Sequence, residues 1–165
     1  MNKILASFFC LFLICSCFKA VTTKLTIKTE NGNIVYNVET ASKIEDLEKG
    51  LMGRESLAAD GGMLFDLSAI KGKVTAMWMK DTNLTLDMLF LTKDGDIFWI
   101  KENAEPNSEE LIIAPFPAAA VLEINGGEVA KQNIKVGQKV EHPLFKRLSQ
   151  EKTEPVSEET NVIKQ

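Results

Sequence analysis

Hydrophobic and polar positions alternate along much of the chain, a pattern typical of β-strands with one buried face. Residues 24–30 and 33–39 alternate on either side of Asn31-Gly32, which predicts a β-hairpin with a tight turn. Further strands are predicted where apolar runs return later in the chain. These runs are residues 63–65, 74–79, 84–91, 97–101, 119–124 and 134–141, the last broken by Gly137.

One segment has helical spacing instead. Ile44, Leu47 and Leu51 recur at intervals of three and four residues, which would place them on one face of a short helix. Ser42 and Glu45 have the spacing of a capping box, and the glycine at position 50 suits a C-terminal stop. The sequence therefore predicts one amphipathic helix packed on a β-rich domain.

These elements predict a single globular domain over residues 24–143. Its class is β-rich α+β, with antiparallel sheets or a small open barrel and one packed amphipathic helix. The chain has 165 residues, 45% of them hydrophobic, which is enough for one core but not for two. Residues 102–110 are acidic and are predicted to be a solvated loop, and residues 149–165 a disordered polar tail.

The first twenty residues differ from the rest of the chain. Lys3 precedes fifteen uncharged residues, a run too short for a bilayer span and typical of a signal peptide. Residues 13–17 (LICSC) resemble a bacterial lipobox, so we predict a lipoprotein-type signal peptide over residues 1–17, lipidation at Cys17 and a short linker over residues 18–23. The expected location is the periplasm, on a lipid anchor; cleavage after Ala20 would instead release a soluble periplasmic protein.

Charge and cysteine content restrict the classes of function. All three cysteines lie in the N-terminal segment, so the domain has no disulfide and no thiolate ligand. There are 19 basic and 23 acidic residues, and this acidic balance does not favour nucleic-acid binding. The lone His142 is expected to be an exposed loop residue. Since no nucleotide-binding motif occurs and zinc sites need more histidine or cysteine, we predict no metal and no cofactor.

Five methionines fall within residues 52–88: Met52, Met63, Met77, Met79 and Met88. Met77 and Met79 would lie on the same face of one strand. Thioethers are soft ligands that bind copper(I). However, methionines on one strand face more often pack in a hydrophobic core, and core packing is the prediction.

A group of polar residues near turns is the candidate binding site. Asp87 and Glu123 stand inside apolar runs, where an unpaired buried carboxylate is costly, so each must be exposed, paired or functional. Lys80 and Asp81 directly follow the predicted strand at 74–79. The predicted binding residues are Arg54, Lys80, Asp81, Asp87, Glu123 and Asn125.

Three hypotheses for function remain open at this stage. The leading one is a membrane-tethered accessory or ligand-binding module that holds a small ligand or an envelope protein at these residues. The second is a carboxylate-dependent envelope hydrolase or lyase, which would need two carboxylates facing one cleft. The third is a structural or assembly protein, in which the same residues hold turns together and no small-molecule site exists.

Three segments resemble the domain of unknown function 192 (DUF192) family: residues 50–67, 77–97 and 119–127. The resemblance covers residues 24 to 142 and implies a small exported bacterial or archaeal protein with one domain after a signal sequence. It implies a fold and a site region, but no activity.

The chain departs from the usual family block F-W-M-K-N-T-x-x-P-L-D at three positions. Met77 stands for the Phe, Asp81 for the Asn and Thr85 for the Pro. The family Phe argues against copper(I) ligation at position 77. Asp81 keeps an acceptor but loses two donors and gains a charge, which suggests that it pairs with Lys80 or Arg54.

Overall fold

The computed structural model describes residues 21–70 and 74–151. The expected signal peptide with Cys17, most of the linker and the tail beyond residue 151 lie outside the described residues. The described strands are β1 Thr23–Thr29, β2 Gly32–Ala41, β3 Gly61–Asp66, β4 Ala76–Met77, β5 Leu86–Leu91, β6 Ile97–Ala104, β7 Ile112–Ile113, β8 Ala120–Asn125 and β9 Lys139–Glu141. The described helices are α1 Ile44–Lys49, α2 Glu128–Gln132 and α3 Pro143–Gln150.

Seven of these strands form one curled sheet in the order β6-β5-β8-β3-β2-β1-β9, while β4 and β7 form a separate two-stranded ribbon. Asp96, just before β6, bridges Lys139 in β9, and the Val140 amide donates to the Gly95 carbonyl oxygen over 2.8 Å. The two edge strands of the sheet therefore meet at one end. The result is a half-barrel, which confirms the β-rich class.

The pairing of β2 with β3 is parallel, whereas the other neighbouring pairs of the large sheet are antiparallel. The prediction of antiparallel sheets does not hold for this one pair. A parallel pair needs a crossover rather than a hairpin, and α1 with the loop after it supplies the crossover. This brings the turn after α1 to the edge of β3.

The three adjacent strands β5, β8 and β3 are covered on both faces. Nearly all of their residues are buried, which explains why their sequences read as continuous apolar runs. One face, with Leu122 at its centre, packs against α2 and α3. The other face, with Val121, Phe65 and Phe90, packs against the segment around Leu51 and Met79. Side chains that alternate along one strand thus enter two different cores.

The helix expected near position 44 forms, but not as a packed amphipathic helix. Its N-cap is Lys43, which makes no side-chain cap, so the capping box is absent. Ile44 is 67% exposed and Leu47 is only partly buried, while Leu51 is buried after the helix has ended. The predicted stop is confirmed at Gly50, whose φ is 47°. Within the described residues no helix is long and apolar enough to span a bilayer.

The C-terminal part of the domain differs most from the sequence prediction. Only residues 139–141 of the strand expected over 134–141 are extended, and α2 and α3 were not expected. Helix α3 runs through Gln150, into the segment expected to be a disordered tail. Arg147 holds α3 to the end of β3 by an ion pair of 2.6 Å with the buried Asp66.

Candidate functional site

Glu123 lies in the middle of β8, on the sheet face that carries Val121, and only 4% of its surface is exposed. Its carboxyl group has no hydrogen-bond or ion-pair partner among the described residues. Burial raises the pKa of this carboxyl to about 8. Because neutral pH lies below that value, Glu123 is a protonated acid in the folded protein.

A cavity of about 30 Å³ lies against Glu123. Five parts of the chain contribute to its wall: the end of α1 with the turn after it, strand β3, β4 with the segment that follows it, the start of β5, and β8 through Glu123. The main lining residues are Leu51, Met52, Phe65, Met77, Trp78, Met79 and Thr82. The wall combines apolar and sulfur-containing side chains with the exposed, charged Glu48 and Lys49 of α1, and Glu123 supplies its buried acid.

Gly50 allows the turn after α1 to approach this wall closely. Its φ of 47° is in the left-handed region, and a Cβ atom at this position would lie 3.0 Å from the Phe65 ring. The turn is joined to the segment after β4 by the Gly53 amide, which donates to the carbonyl oxygen of Asp81 over 2.8 Å. Glycine at position 50 thus lets two loops close over Glu123.

Asp81 and Lys80 lie beside the cavity rather than in its wall. Asp81 is exposed with a φ of 51°, a conformation that asparagine adopts more readily than most residues, which accounts for the asparagine of the family block. The Lys80 ammonium lies 5.3 Å from the ring centre of Trp78. Among the described residues, no ion pair joins Asp81 to Lys80 or Arg54, so that expected pairing is wrong.

Arg54 is already paired within the fold. Its guanidinium donates two hydrogen bonds to the Glu39 carboxylate, one of them 2.6 Å from Nη2 to Oε2. These hydrogen bonds lower the pKa of Glu39 and raise the pKa of Arg54. The pair connects β2 to the loop after α1.

Asp87 is fully buried and also has partners. Its carboxylate accepts from the backbone amides of Asn103 and Val129, each over 2.8 Å. These contacts hold the irregular end of β6 and the first turn of α2. Asp87 pairs with Ile124, whereas Glu123 pairs with Met88, so the two carboxyl groups lie on opposite faces of the sheet.

Asn125 also has a role in holding the chain together. Its side-chain amide donates to the carbonyl oxygen of Ala58 over 2.9 Å, which ties the end of β8 to the loop before β3. Of the six predicted binding residues, the structure places only Glu123 in the cavity wall, with Lys80 next to it. Their joint role as a binding site stays a prediction.

A family model, DUF192 ("Uncharacterized ACR"), matches residues 25–142 of the chain. The chain belongs to the DUF192 family. No curated protein matches it.

Two solved structures resemble this DUF192 chain. A "putative transcription regulator" from Sinorhizobium meliloti 1021 is 40% identical, with a TM-score of 0.69, over 74% of this chain and 94% of that one. A protein of unknown function from Novosphingobium aromaticivorans DSM 12444 is 36% identical, also with a TM-score of 0.69, over 73% of this chain and 85% of that one.

The three segments that carry the family resemblance meet at the cavity of this DUF192 chain. Residues 50–67 supply Met52 and Phe65, residues 77–97 supply Trp78 and Met79, and residues 119–127 supply Glu123. Of these, the predicted binding residues included only Glu123, because Met52 and Met79 were assigned to core packing. The signal that could have found the others was their place inside the quoted family segments.

His142 is 7% exposed, so the expectation of an exposed loop residue was wrong. Its Nδ1 accepts from the Leu144 amide over 3.2 Å and caps α3, while its Nε2 lies 2.7 Å from the hydroxyl of Thr23. Burial lowers the pKa of His142, so the ring is neutral. Within the described part of this DUF192 chain, no three His, Cys, Asp or Glu side chains form a metal-binding group.

Proposed function

We propose that this protein is a small exported bacterial binding module that holds one compact ligand in the cavity beneath Glu123. A lipid anchor at Cys17 would keep the module at the membrane, facing the periplasm. The observation that carries the proposal is Glu123 itself, a buried carboxyl group that faces a cavity and has no partner among the described residues.

A buried polar group without a hydrogen bond lowers stability, and a well-packed apolar side chain at the same place would avoid that cost. A protonated carboxyl can donate one hydrogen bond and accept others, so a ligand in the cavity would find both functions free. Arg54, Asp87 and Asn125 lack this capacity because their polar atoms already bind other parts of the fold.

The hydrolase or lyase alternative has less support. It needs two carboxylates in one cleft, whereas Asp87 and Glu123 lie on opposite faces of a sheet that is buried on both sides. The assembly alternative fits Arg54, Asp87 and Asn125, which each join separate segments. It does not explain why a buried carboxyl group without a partner lies at position 123. The experiment therefore tests Glu123.

A thermal-shift screen tests the binding proposal. Wild-type protein, Glu123→Gln, Lys80→Ala and Asp87→Asn are melted with metal ions, and with polyamines, short peptides, envelope sugars and nucleotides, of which only one end group could enter the cavity. A ligand at a hundred times its dissociation constant stabilises by about 2.7 kcal/mol. The expected result is a shift in the wild type that Glu123→Gln loses, Lys80→Ala reduces, and Asp87→Asn keeps although this control melts earlier.

The screen also has a result that would overturn the proposal. If no compound stabilises the wild-type protein more than it stabilises the Glu123→Gln variant, the proposed binding function is wrong and the assembly role is favoured.

The anchor is tested separately. Cells expressing the full chain or Cys17→Ser are labelled with radioactive palmitate and fractionated. The proposal expects label and membrane association for the wild type only, and an unlabelled wild-type chain would refute the lipid anchor.

A further inference from the structure

All five methionines of the described residues lie on the Glu123 side of the sheet or in the wall of its cavity. Met63 in β3 and Met88 in β5 are the direct cross-strand neighbours of Glu123, one on each side. Side chains at such positions begin about 5 Å apart. Met52, Met77 and Met79 line the cavity together with Glu123.

The size and chemistry of the cavity restrict what can occupy it. A volume of about 30 Å³ holds one water molecule or one monatomic ion. Calcium and magnesium need six or more oxygen ligands, and among the lining residues Glu123 is the only buried carboxyl. Zinc prefers histidine, thiolate and carboxylate, which do not gather among the described residues.

Soft monovalent cations fit these residues. Thioethers bind copper(I), and a single carboxylate offsets the charge of one monovalent ion. Trp78 also lines the cavity, and the face of an indole ring attracts a cation. A bound ion would thus give Glu123 the partner that the described residues do not supply.

We propose that the cavity beneath Glu123 binds one copper(I) ion, with Met52, Met77 and Met79 as thioether ligands and Glu123 as the balancing carboxylate. This inference rests on the proposed function and names its ligand. The Glu123 carboxylate balances the charge of the bound copper(I) ion, and no electron moves on binding.

Met77 is the ligand position at which this chain departs from its family, which has Phe there. Met52 and Met77 are half-buried, and Met79 is buried. Restoring the family residue with Met77→Phe therefore removes one thioether while keeping an apolar side chain. The proposal expects this variant to bind copper(I) more weakly, with Met52 and Met79 still in place.

The experiment is a competition between the purified protein and a chromophoric copper(I) chelator under anaerobic, reducing conditions. Single Met→Leu substitutions nearly preserve volume and cost little stability. Met52→Leu, Met79→Leu and Met77→Phe are each expected to weaken binding about tenfold or more, a loss of about 1.4 kcal/mol. Met63→Leu and Met88→Leu are matched controls, because they flank Glu123 without lining the cavity, and they should leave the affinity nearly unchanged.

Removal of the carboxylate gives a second, independent readout. Titration calorimetry with silver(I), a redox-stable analogue, measures the affinity directly. Glu123→Gln should bind silver(I) at least about tenfold more weakly than the wild type, a loss of about 1.4 kcal/mol. Glu48→Gln, which removes an exposed carboxylate at the cavity rim, should bind as the wild type does.

The outcomes separate this inference from the proposed function. Absence of copper(I) binding, or equal effects of the lining and flanking methionines, overturns the copper(I) site. If another compound then stabilises the wild type through Glu123 in the thermal-shift screen, the binding module stands with a different ligand. If nothing depends on Glu123, both proposals fail.

Discussion

Glu123 and Asp87 lie on neighbouring strands of one sheet, yet their side chains enter opposite cores. Asp87 is opposite Ile124, one position away from the pair that Glu123 makes with Met88. A shift of one position along a strand changes the face, and here it also changes the chemistry. The Asp87 carboxylate accepts two backbone hydrogen bonds, whereas the Glu123 acid has no partner among the described residues.

Glu123 should make the domain less stable as the pH rises. Its carboxyl has a pKa of about 8 when folded, against an ordinary value of 4.5. Between these values the unfolded chain loses the proton while the folded protein keeps it, so the free energy of unfolding falls with pH. The loss by pH 7 is of the order of 3 kcal/mol, about 1.4 kcal/mol for each pH unit above 4.5.

Glu123→Gln removes this titration while keeping the shape of the side chain. Urea unfolding of both proteins across this pH range should show a stability difference that grows in favour of Gln as the pH rises. A difference that stays constant with pH would mean that Glu123 is ionised in the folded protein.

Asp87→Ala should destabilise the domain by about 2–5 kcal/mol, because two buried backbone amides lose their acceptor. The amides of Asn103 and Val129 have this carboxylate as their partner. Asp96→Ala is the control: it removes a carboxylate from an exposed ion pair with Lys139 and should cost less than about 1 kcal/mol. Equal effects of the two changes, measured by urea unfolding, would contradict the structural role of Asp87.

His142 should give a pH dependence of the opposite sign. Since burial lowers its pKa below 6.5, the unfolded chain takes up a proton before the folded protein does. The contribution of neutral His142 to the free energy of unfolding is complete above pH 6.5. It is lost as the pH falls from 6.5 toward the pKa of His142 in the folded protein. His142→Asn keeps an N-cap acceptor but cannot titrate. The free energy of unfolding of this variant, measured by urea unfolding, should therefore not show this fall below pH 6.5. If it falls with pH as the wild-type value does, His142 is not the group responsible.

Gly95 should tolerate alanine far less well than Gly137, although both have a positive φ, of 87° and 90°. A Cβ atom at position 95 would lie 2.5 Å from the Val140 carbonyl oxygen, whereas at position 137 it would meet nothing within 4 Å. Gly137→Ala thus measures the backbone strain alone, about 1–2 kcal/mol. Gly95→Ala should cost at least about 1 kcal/mol more, because the contact joins the two edges of the half-barrel. Equal melting temperatures of Gly95→Ala and Gly137→Ala would contradict a close contact between the two edges of the half-barrel.

The sequence predicted those parts of the fold that depend on nearby residues. The first hairpin formed as expected because Asn31-Gly32 sets its turn locally, and Thr29 pairs with Gly32. The parallel pairing of β2 with β3 depends on how the chain crosses over between them, which no local pattern specifies. Helix α3 does have apolar residues at helical spacing, Leu144 and Leu148, but its polar neighbours resemble the tail that follows.

The candidate site shows the same division. The sequence singled out Glu123 and Asp87 for one reason, a carboxylate within an apolar run. Only the register between β5 and β8 separates a residue that holds the fold from a residue that faces a cavity. Met52 reaches that cavity from a loop, and Trp78 from the segment after β4, which ends at Met77 although a strand was expected over residues 74–79. The sequence pattern therefore did not show that both residues line one cavity.

The position of β1 has a consequence for the order in which the chain can fold. As the first strand of the domain, β1 lies between β2 and β9, and Thr23 contacts His142 across 119 positions of sequence. Such a high contact order makes closure slow and late. One side of β1 stays an open edge, available for pairing with other chains, until residues 139–142 have emerged from the ribosome. A chain that stops before β9 is therefore expected to aggregate rather than to fold as a smaller domain.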